Sequence, residues 1–305
     1  MSRSLIIIAL VLSIVPSLTG AAGSTYTDAT GVAVRCGLDA GRIVSLAPNV
    51  TEMLCFLGLR ECLAGRSDFC NYPPEMQAVP SVGGFADASV ERIVALAPDL
   101  VVAYQGNSRD LVDSLRAAHV TVLALREAAS LSEIAEQMDT LWRVAAQDGA
   151  AVPPQLATWR ERLAKLTADV GDRPRPRVFF GYPGELSMTC APGSFLDDLI
   201  ARAGGISVVP AGRERWPTVS AEFVVRAAPQ WMLTATSCSG RESVAEKRSQ
   251  LLRELEHDKV WSTLPAVRDG HVLVLDSDVL LRPGPRILDA LAEVQSALAG
   301  GKESQ

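Results

Sequence analysis

Six cysteines, three histidines and two glutamates in matching contexts are the residues of this 305-residue chain with the most chemistry to offer. The cysteines are Cys36, Cys55, Cys62, Cys70, Cys190 and Cys238. Thiols can bridge, hold a soft metal or attack a substrate. No Cys-x-x-Cys occurs, which argues against a thioredoxin-type dithiol. Pairing is open on sequence alone. The first expectation is a Cys190–Cys238 bridge and the second Cys36–Cys62, while Cys55 reads as a buried thiol. A thiolate site made by Cys70, Cys190 and Cys238 is the alternative. An oxidising compartment favours bridges, so no metal is expected. His119, His257 and His271 are far apart and read as structural or surface residues. There is no Gly-x-Ser-x-Gly elbow, no P-loop, no Gly-x-Gly-x-x-Gly after the first strand and no His/carboxylate cluster. An enzyme is therefore not expected, and neither is a cofactor.

Glu91 and Glu222 each stand two residues after a serine, Ser89 and Ser220, that suits a helix N-cap. A carboxylate in that first turn stabilises the helix dipole by about 0.3–1 kcal/mol. These two sites belong to a longer repeat. Glu91-Arg-Ile-Val-Ala-Leu-Ala-Pro98 and Glu222-Phe-Val-Val-Arg-Ala-Ala-Pro229 share the spacing Glu, six residues, Pro, then an apolar run, at an offset of 131. Phe85 and Trp216 each lie six residues before the glutamate. Arg42-Ile-Val-Ser-Leu-Ala-Pro48 and Arg177-Val-Phe-Phe-Gly-Tyr-Pro183 match at an offset of 135. Two motifs at nearly one offset imply two lobes of like architecture.

The elements that position these residues alternate. Strands are expected at 43–46, 100–103 and 120–125, with helices 50–57, 89–97 and 108–118 between and around them. Asn49 reads as the cap of the first helix. The second lobe repeats the order, with strands at 178–180, 231–235 and 271–275 and helices at 194–203, 220–228 and 285–298. Apolar strands alternating with helices imply parallel βαβ units buried on both faces. A helix running to about Ala146 and a strongly periodic one over 155–170 lie between the lobes. The fold class is thus α/β: two similar lobes, each a parallel-sheet βα unit, joined by a single rigid interlobe helix. The expected organisation is a leader over 1–22, an N-terminal lobe over 23–138, an interlobe helical segment over 139–176 and a C-terminal lobe over 177–305. A stiff connection implies small lobe movements on ligand binding.

Hydrophobic residues make up 48% of the chain, enough for a large core, and Lys+Arg 29 against Asp+Glu 35 gives a net charge of −6. The pI near 5.2 and the mean hydropathy of +0.17 fit a packed acidic globular protein, and no nucleic-acid partner is expected. The one long apolar run, Leu5 to Val15, follows Arg3 and precedes small residues ending at Ala22 and Gly23. It reads as a cleaved secretory signal, with no cysteine placed for a lipid anchor. The expected location is the periplasm.

An exported, acidic, two-lobed chain suits a solute receptor with its ligand in the crevice between lobes. Arg42 to Glu52, Asp68-Phe-Cys-Asn-Tyr-Pro-Pro74, Val82-Gly-Gly-Phe85, Val90 to Val102, Trp216-Pro217 and Arg282-Pro-Gly-Pro-Arg286 resemble a known family. It is the helical-backbone periplasmic binding proteins of bacterial ABC importers, which include receptors for cobalamin, haem and ferric siderophores. The likeness is strongest to the cobalamin branch and covers about Arg42 to Leu298. The resemblance implies a cleft lined by Pro48, Phe69, Phe85, Tyr104 and Trp216, with Arg282 as a donor of hydrogen bonds to the ligand. Phe85 and Tyr104 stand where the family carries tryptophan, and Leu281 where it carries an acid before the arginine. Arg282 could instead serve a loop ion pair with Asp276 or Asp278. The resemblance further implies that Glu91 and Glu222 dock on a dimeric permease carrying its ATPase, and that the receptor acts as a monomer. Cobalamin or a related corrinoid is the expected cargo. Haem or a metal chelate is the alternative, for which Tyr72, Tyr104 and Tyr182 offer ligands. A structural adhesion module would instead fill the crevice with side chains.

Overall fold

The computed structural model of the chain describes residues 24–168, 170, 174–237 and 243–300. The leader read over 1–22 and Cys238 lie outside the described residues.

The first half supplies β1 (Thr25–Thr27), β2 (Ala33–Arg35), β3 (Ile43–Ser45), β4 (Leu63–Arg66), β5 (Leu100–Tyr104) and β6 (Val122–Leu125). Its helices are α1 (Pro48–Phe56), α2 (Val90–Ala95), α3 (Arg109–Ala117) and α4 (Leu131–Ala145). Then comes α5 (Pro154–Ala168). The second half supplies β7 (Arg177–Phe180), β8 (Leu186–Met188), β9 (Ile206–Ser207), β10 (Thr218–Ser220), β11 (Trp231–Thr236) and β12 (Val272–Asp276). Its helices are α6 (Phe195–Arg202), α7 (Ala221–Ala227), α8 (Val244–His257), α9 (Pro265–Arg268), α10 (Ser277–Leu280) and α11 (Ile287–Leu298).

Each half builds one four-stranded, wholly parallel sheet, in the orders β4-β3-β5-β6 and β9-β7-β11-β12. Position by position the two orders are the same. The continuous apolar strands follow from burial on both faces, and the pleat sends alternate residues to opposite sides. In the first sheet Ile43, Leu100, Val102, Leu123 and Leu125 face inward, while Val44, Leu46, Val101 and Val122 face α2 and α3. In the second, Val178, Phe180, Leu233, Leu273 and Leu275 face inward, while Phe179, Met232, Val272 and Val274 pack on Leu255 and Trp261. The inward faces of both sheets, together with α1, α4, α5, α6 and α11, form one continuous apolar cluster. The lobes share a core rather than meeting at a hinge.

The sequence repeat holds at atomic level. Ser89 Oγ accepts the Arg92 N–H at 3.2 Å and Ser220 Oγ the Phe223 N–H at 3.3 Å. After α2 and α7, Ala97 and Ala228 both adopt φ 44°, each just before a proline. Alanine in this left-handed region costs about 1–2 kcal/mol. Both copies are braced by an arginine at the start of the neighbouring strand. Arg42 donates twice to the Leu96 carbonyl (2.9 and 2.7 Å) and Arg177 twice to the Ala227 carbonyl (3.2 and 2.7 Å).

Helix α5 crosses from lobe to lobe. Gln155 at its start donates to the Phe56 carbonyl, Trp159 Nε1 to Pro285 and Gln295 Nε2 to Leu166 near its end. At 1.5 Å per residue it is about 22 Å long. The connection is broader than one helix. Helix α4 packs on α1 in the first lobe and α6 in the second, and its first N–H (Leu131) donates to Asp198 of α6 at 2.8 Å.

Several local features escaped the sequence reading. The edge strands β4 and β9, the β1–β2 hairpin, the antiparallel β8–β10 pairing and the helix α8 were not foreseen. Ser243 and Glu246 form a capping box at the start of α8. Asn49 does not cap α1. Ala47 is the N-cap, Pro48 takes the first helical turn and Asn49 lies buried inside the helix.

The expected disulfides are corrected. Cys36, Cys55, Cys62, Cys70 and Cys190 are free thiols. Cys36 sits where the β1–β2 hairpin meets the end of α4, and its N–H donates to Ser24. Cys62 is held by the tight turn 60–62, its N–H on Leu59. Cys190 turns into the shared core, so its bridge to Cys238 is not made. Burial pushes the Cys190 thiol well above its ordinary pKa and that of Cys55 to about 11, which makes both poor nucleophiles at neutral pH. The trio Cys70, Cys190 and Cys238 gains no support as a thiolate site. Cys70 Sγ lies 3.2 Å from Ser67 Oγ, away from the core that takes Cys190.

Candidate functional site

Loops at the carboxyl ends of the strands meet between the lobes, and most of the sequence-predicted cleft residues stand there. Asn107, in the turn after β5, organises the first-lobe wall. Its Oδ1 accepts the Tyr104 N–H at 2.7 Å, and its Nδ2 donates to the carbonyls of Phe85 (2.7 Å) and Leu46 (3.3 Å). The Phe85 ring packs against this turn. A Cβ on Gly106 (φ +103) would meet the ring at 2.6 Å, so glycine is required twice over. Phe85, Tyr104 and Trp216 are all half-buried and pack on the shared core. Pro48 is half-buried beside Asn49 at the start of α1.

Trp216 comes from the other lobe. Its ring packs against Phe195 (centroids 5.7 Å apart) and edge-on against Phe180 (6.5 Å). Its indole N–H donates across to both carboxylate oxygens of Glu127, each at 3.0 Å. Glu127 follows β6 in the first lobe, and its own N–H is fixed by Gln105 Oε1. Arg215 Nη1 reaches the Glu127 carbonyl at 3.4 Å. Beneath this bridge, the Tyr104 hydroxyl and Asn49 Nδ2 are buried neighbours, neither with a partner in good hydrogen-bond geometry. Burial, and then the Glu127 charge, push the Tyr104 hydroxyl pKa up, so it stays protonated and a donor.

Arg282 and Phe69 occupy a different place. Phe69 is 59% exposed at the rim. Arg282 is committed to a network that ties the lobes together. It donates to Glu52 (3.1 Å) and Asn71 (2.7 Å) and pairs with Asp278 (2.7 Å). Glu52, on α1 and only 4% exposed, also takes two bonds from Arg286 at 2.8 and 2.6 Å. The Arg286 guanidinium lies 3.9 Å over the Tyr72 ring. The Asp278 contact is the loop ion pair expected as the alternative role for Arg282. The contact to Glu52, 230 positions away, had no sequence signal. Glu127 was also missed. Nothing local marks it, because its partner lies 89 positions away.

Glu91 and Glu222 are exposed on the outer surfaces, one per lobe. Each accepts from its capping serine, at 2.8 Å from Ser89 and 3.2 Å from Ser220. Its own backbone N–H and the Ser89 hydroxyl hold the Glu91 carboxyl below its ordinary pKa. Among the described residues no group of three His, Cys, Asp or Glu could hold a metal ion.

The family model described as periplasmic binding protein matches residues 43–279. The chain belongs to this family. The vitamin B12-binding protein of Salmonella typhimurium is 31% identical over 263 residues, covering 85% of this chain and 91% of the relative. The solved periplasmic vitamin B12 binding protein BtuF of Vibrio cholerae aligns with a TM-score of 0.73 at 26% identity, over 87% of this chain and 99% of that one. The periplasmic haem-binding protein RhuT of Roseiflexus sp. RS-1 aligns at 0.66 and 26% identity, over 86% and 98%. This periplasmic binding protein therefore shares its α/β two-sheet architecture with receptors for two different macrocycles. The choice between them rests on the cleft.

Proposed function

We propose that this periplasmic binding protein is the cobalamin receptor of an ABC importer. It binds cobalamin or a related corrinoid between its lobes and delivers it to the inner-membrane permease without chemistry. The observation that carries the reading is the interlobe floor of Phe85, Tyr104 and Trp216, in a chain related along nearly its whole length to vitamin B12-binding proteins. A corrin is broad, largely apolar and rimmed with amides. Ring faces suit its plane. Pro48 and Phe69 extend the wall, and Arg282 frames its rim from the interlobe network. The protein travels by a leader removed near Ala22 and works in the periplasm as a monomer. Glu91 and Glu222 dock on basic sites of a dimeric permease with its ATPase. Complementary charge there steers encounter and fixes orientation.

Haem is the second reading, favoured by the likeness to RhuT. Of the three tyrosines that could serve it, the Tyr104 hydroxyl is buried, which leaves Tyr72 and Tyr182, 42% and 37% exposed. Calorimetric titration of mature protein with cyanocobalamin and then haemin tests the choice. One-to-one cobalamin binding that weakens about 100-fold in Trp216→Ala supports the proposal. Tight haemin binding with no cobalamin heat moves the ligand to the second reading.

A further inference from the structure

We propose that Glu127 is the specificity-determining residue of the cleft, setting the Trp216 wall and discriminating against macrocycles with an anionic edge. The inference rests on the binding of a macrocycle between the lobes and adds how the choice among macrocycles is made. Glu127 is half-buried at the end of β6 and accepts the Trp216 indole N–H with both oxygens at 3.0 Å. Indole nitrogen is a donor only. With its one donor spent on the opposite lobe, the Trp216 ring is held in place against Phe180 and Phe195. The same carboxylate places a negative charge at the floor, close enough to Tyr104 to raise its hydroxyl pKa. Arg215 is the cation nearby. It reaches the Glu127 main-chain carbonyl at 3.4 Å and also acts electrostatically on Tyr104.

A porphyrin that carries propionates brings like charge to this floor, whereas a corrinoid brings amides that can donate to a carboxylate. Juxtaposed like charges are a standard means of rejecting a wrong ligand. Removing the charge but keeping the shape leaves Arg215 as the local charge, which favours an anionic edge.

The test uses Glu127→Gln and Glu127→Ala in the full mature chain, with cyanocobalamin and haemin as probes. The wild type and both variants are also labelled with 15N to follow the Trp216 indole resonance. In Glu127→Gln, haemin binding is expected to tighten about tenfold and cobalamin binding to weaken about threefold. In Glu127→Ala the Trp216 indole resonance should shift and broaden, with cobalamin affinity falling further. Unchanged haemin affinity in Glu127→Gln, or an unmoved indole resonance in Glu127→Ala, overturns the proposal. If the wild type binds no cobalamin but Glu127→Gln still gains haemin, the assignment of Glu127 stands and the cobalamin reading falls.

Discussion

The two lobes agree on the outside and differ on the inside. Their sheets have the same strand order, and α2 and α7 begin on a capping serine with a glutamate two residues on. Both helices end in a left-handed alanine, with the preceding carbonyl held by an arginine from a neighbouring strand. On the cleft side this equivalence stops. The first lobe supplies Phe69, Phe85, Tyr104 and the two carboxylates Glu52 and Glu127, while the second supplies Trp216 and the arginines Arg282 and Arg286. Even Phe85 and Trp216, equivalent in the repeat, are held differently: one lies over Gly106, the other is tethered to Glu127. A two-fold permease would call for symmetric docking surfaces, and an asymmetric ligand for an asymmetric cleft. The repeated outside and the divergent strand ends fit the proposed function on both counts.

The largest expected effect comes from breaking the inside contrast at Glu52. Glu52→Ala leaves Arg282 and Arg286 without their shared carboxylate and should cost about 3–5 kcal/mol. Urea unfolding would measure it, and a loss below about 1 kcal/mol would mean that the lobes are held by the apolar core alone.

Asp28 sharpens a second asymmetry, the β1–β2 hairpin that only the first lobe carries. The Asp28 carboxylate accepts from Thr30, Val32 and Ala124 and pairs with Arg116 at 2.6 Å. Burial raises its pKa, but the bonds from Thr30, Ala124 and Val32 outweigh this, and the folded pKa lies below the ordinary 3.8. Stability from this group is present above the unfolded value and is lost as the pH falls through the folded one. Asp28→Asn should therefore cost about 2 kcal/mol at pH 7 and less toward pH 2, read as a flatter melting temperature profile below pH 4.

Outside, Glu91→Ala and Glu222→Ala should each lower uptake of labelled cobalamin by host cells about tenfold, and equally, while leaving ligand affinity as it was. Unequal losses would break the symmetry argument for docking. The smallest effect is at the two arginine braces. Arg42→Ala and Arg177→Ala should each cost about 1 kcal/mol in thermal unfolding, with the two values close together. A cost at only one site would show that the repeat is geometric but not energetic.

Much of the outer architecture was legible because its causes are local. A serine before an apolar helix, a proline after it and a β-branched run are read within a few residues of one another, and the 131-residue offset doubles each signal. Short edge strands such as Ile206–Ser207 carry too few residues for a period to register. The bridges expected at Cys36, Cys62 and Cys190 were misread because an even number of cysteines permits pairing without making it geometrically available. The cleft was only half legible. Its aromatic residues stood out by type and by resemblance, but their anchors did not.

The sequence alone determined two repeated lobes, their capped helices and the apolar strands, because backbone propensity and hydrophobic periodicity act over a turn or a strand. Tertiary structure alone decided that Glu127 ties down Trp216, that Glu52 gathers Arg282 and Arg286, and that Cys190 faces the core. Those outcomes depend on which side chains two sheets bring together when they pack on one core. Electrostatic and hydrogen-bond partners are chosen by that proximity, not by distance along the chain.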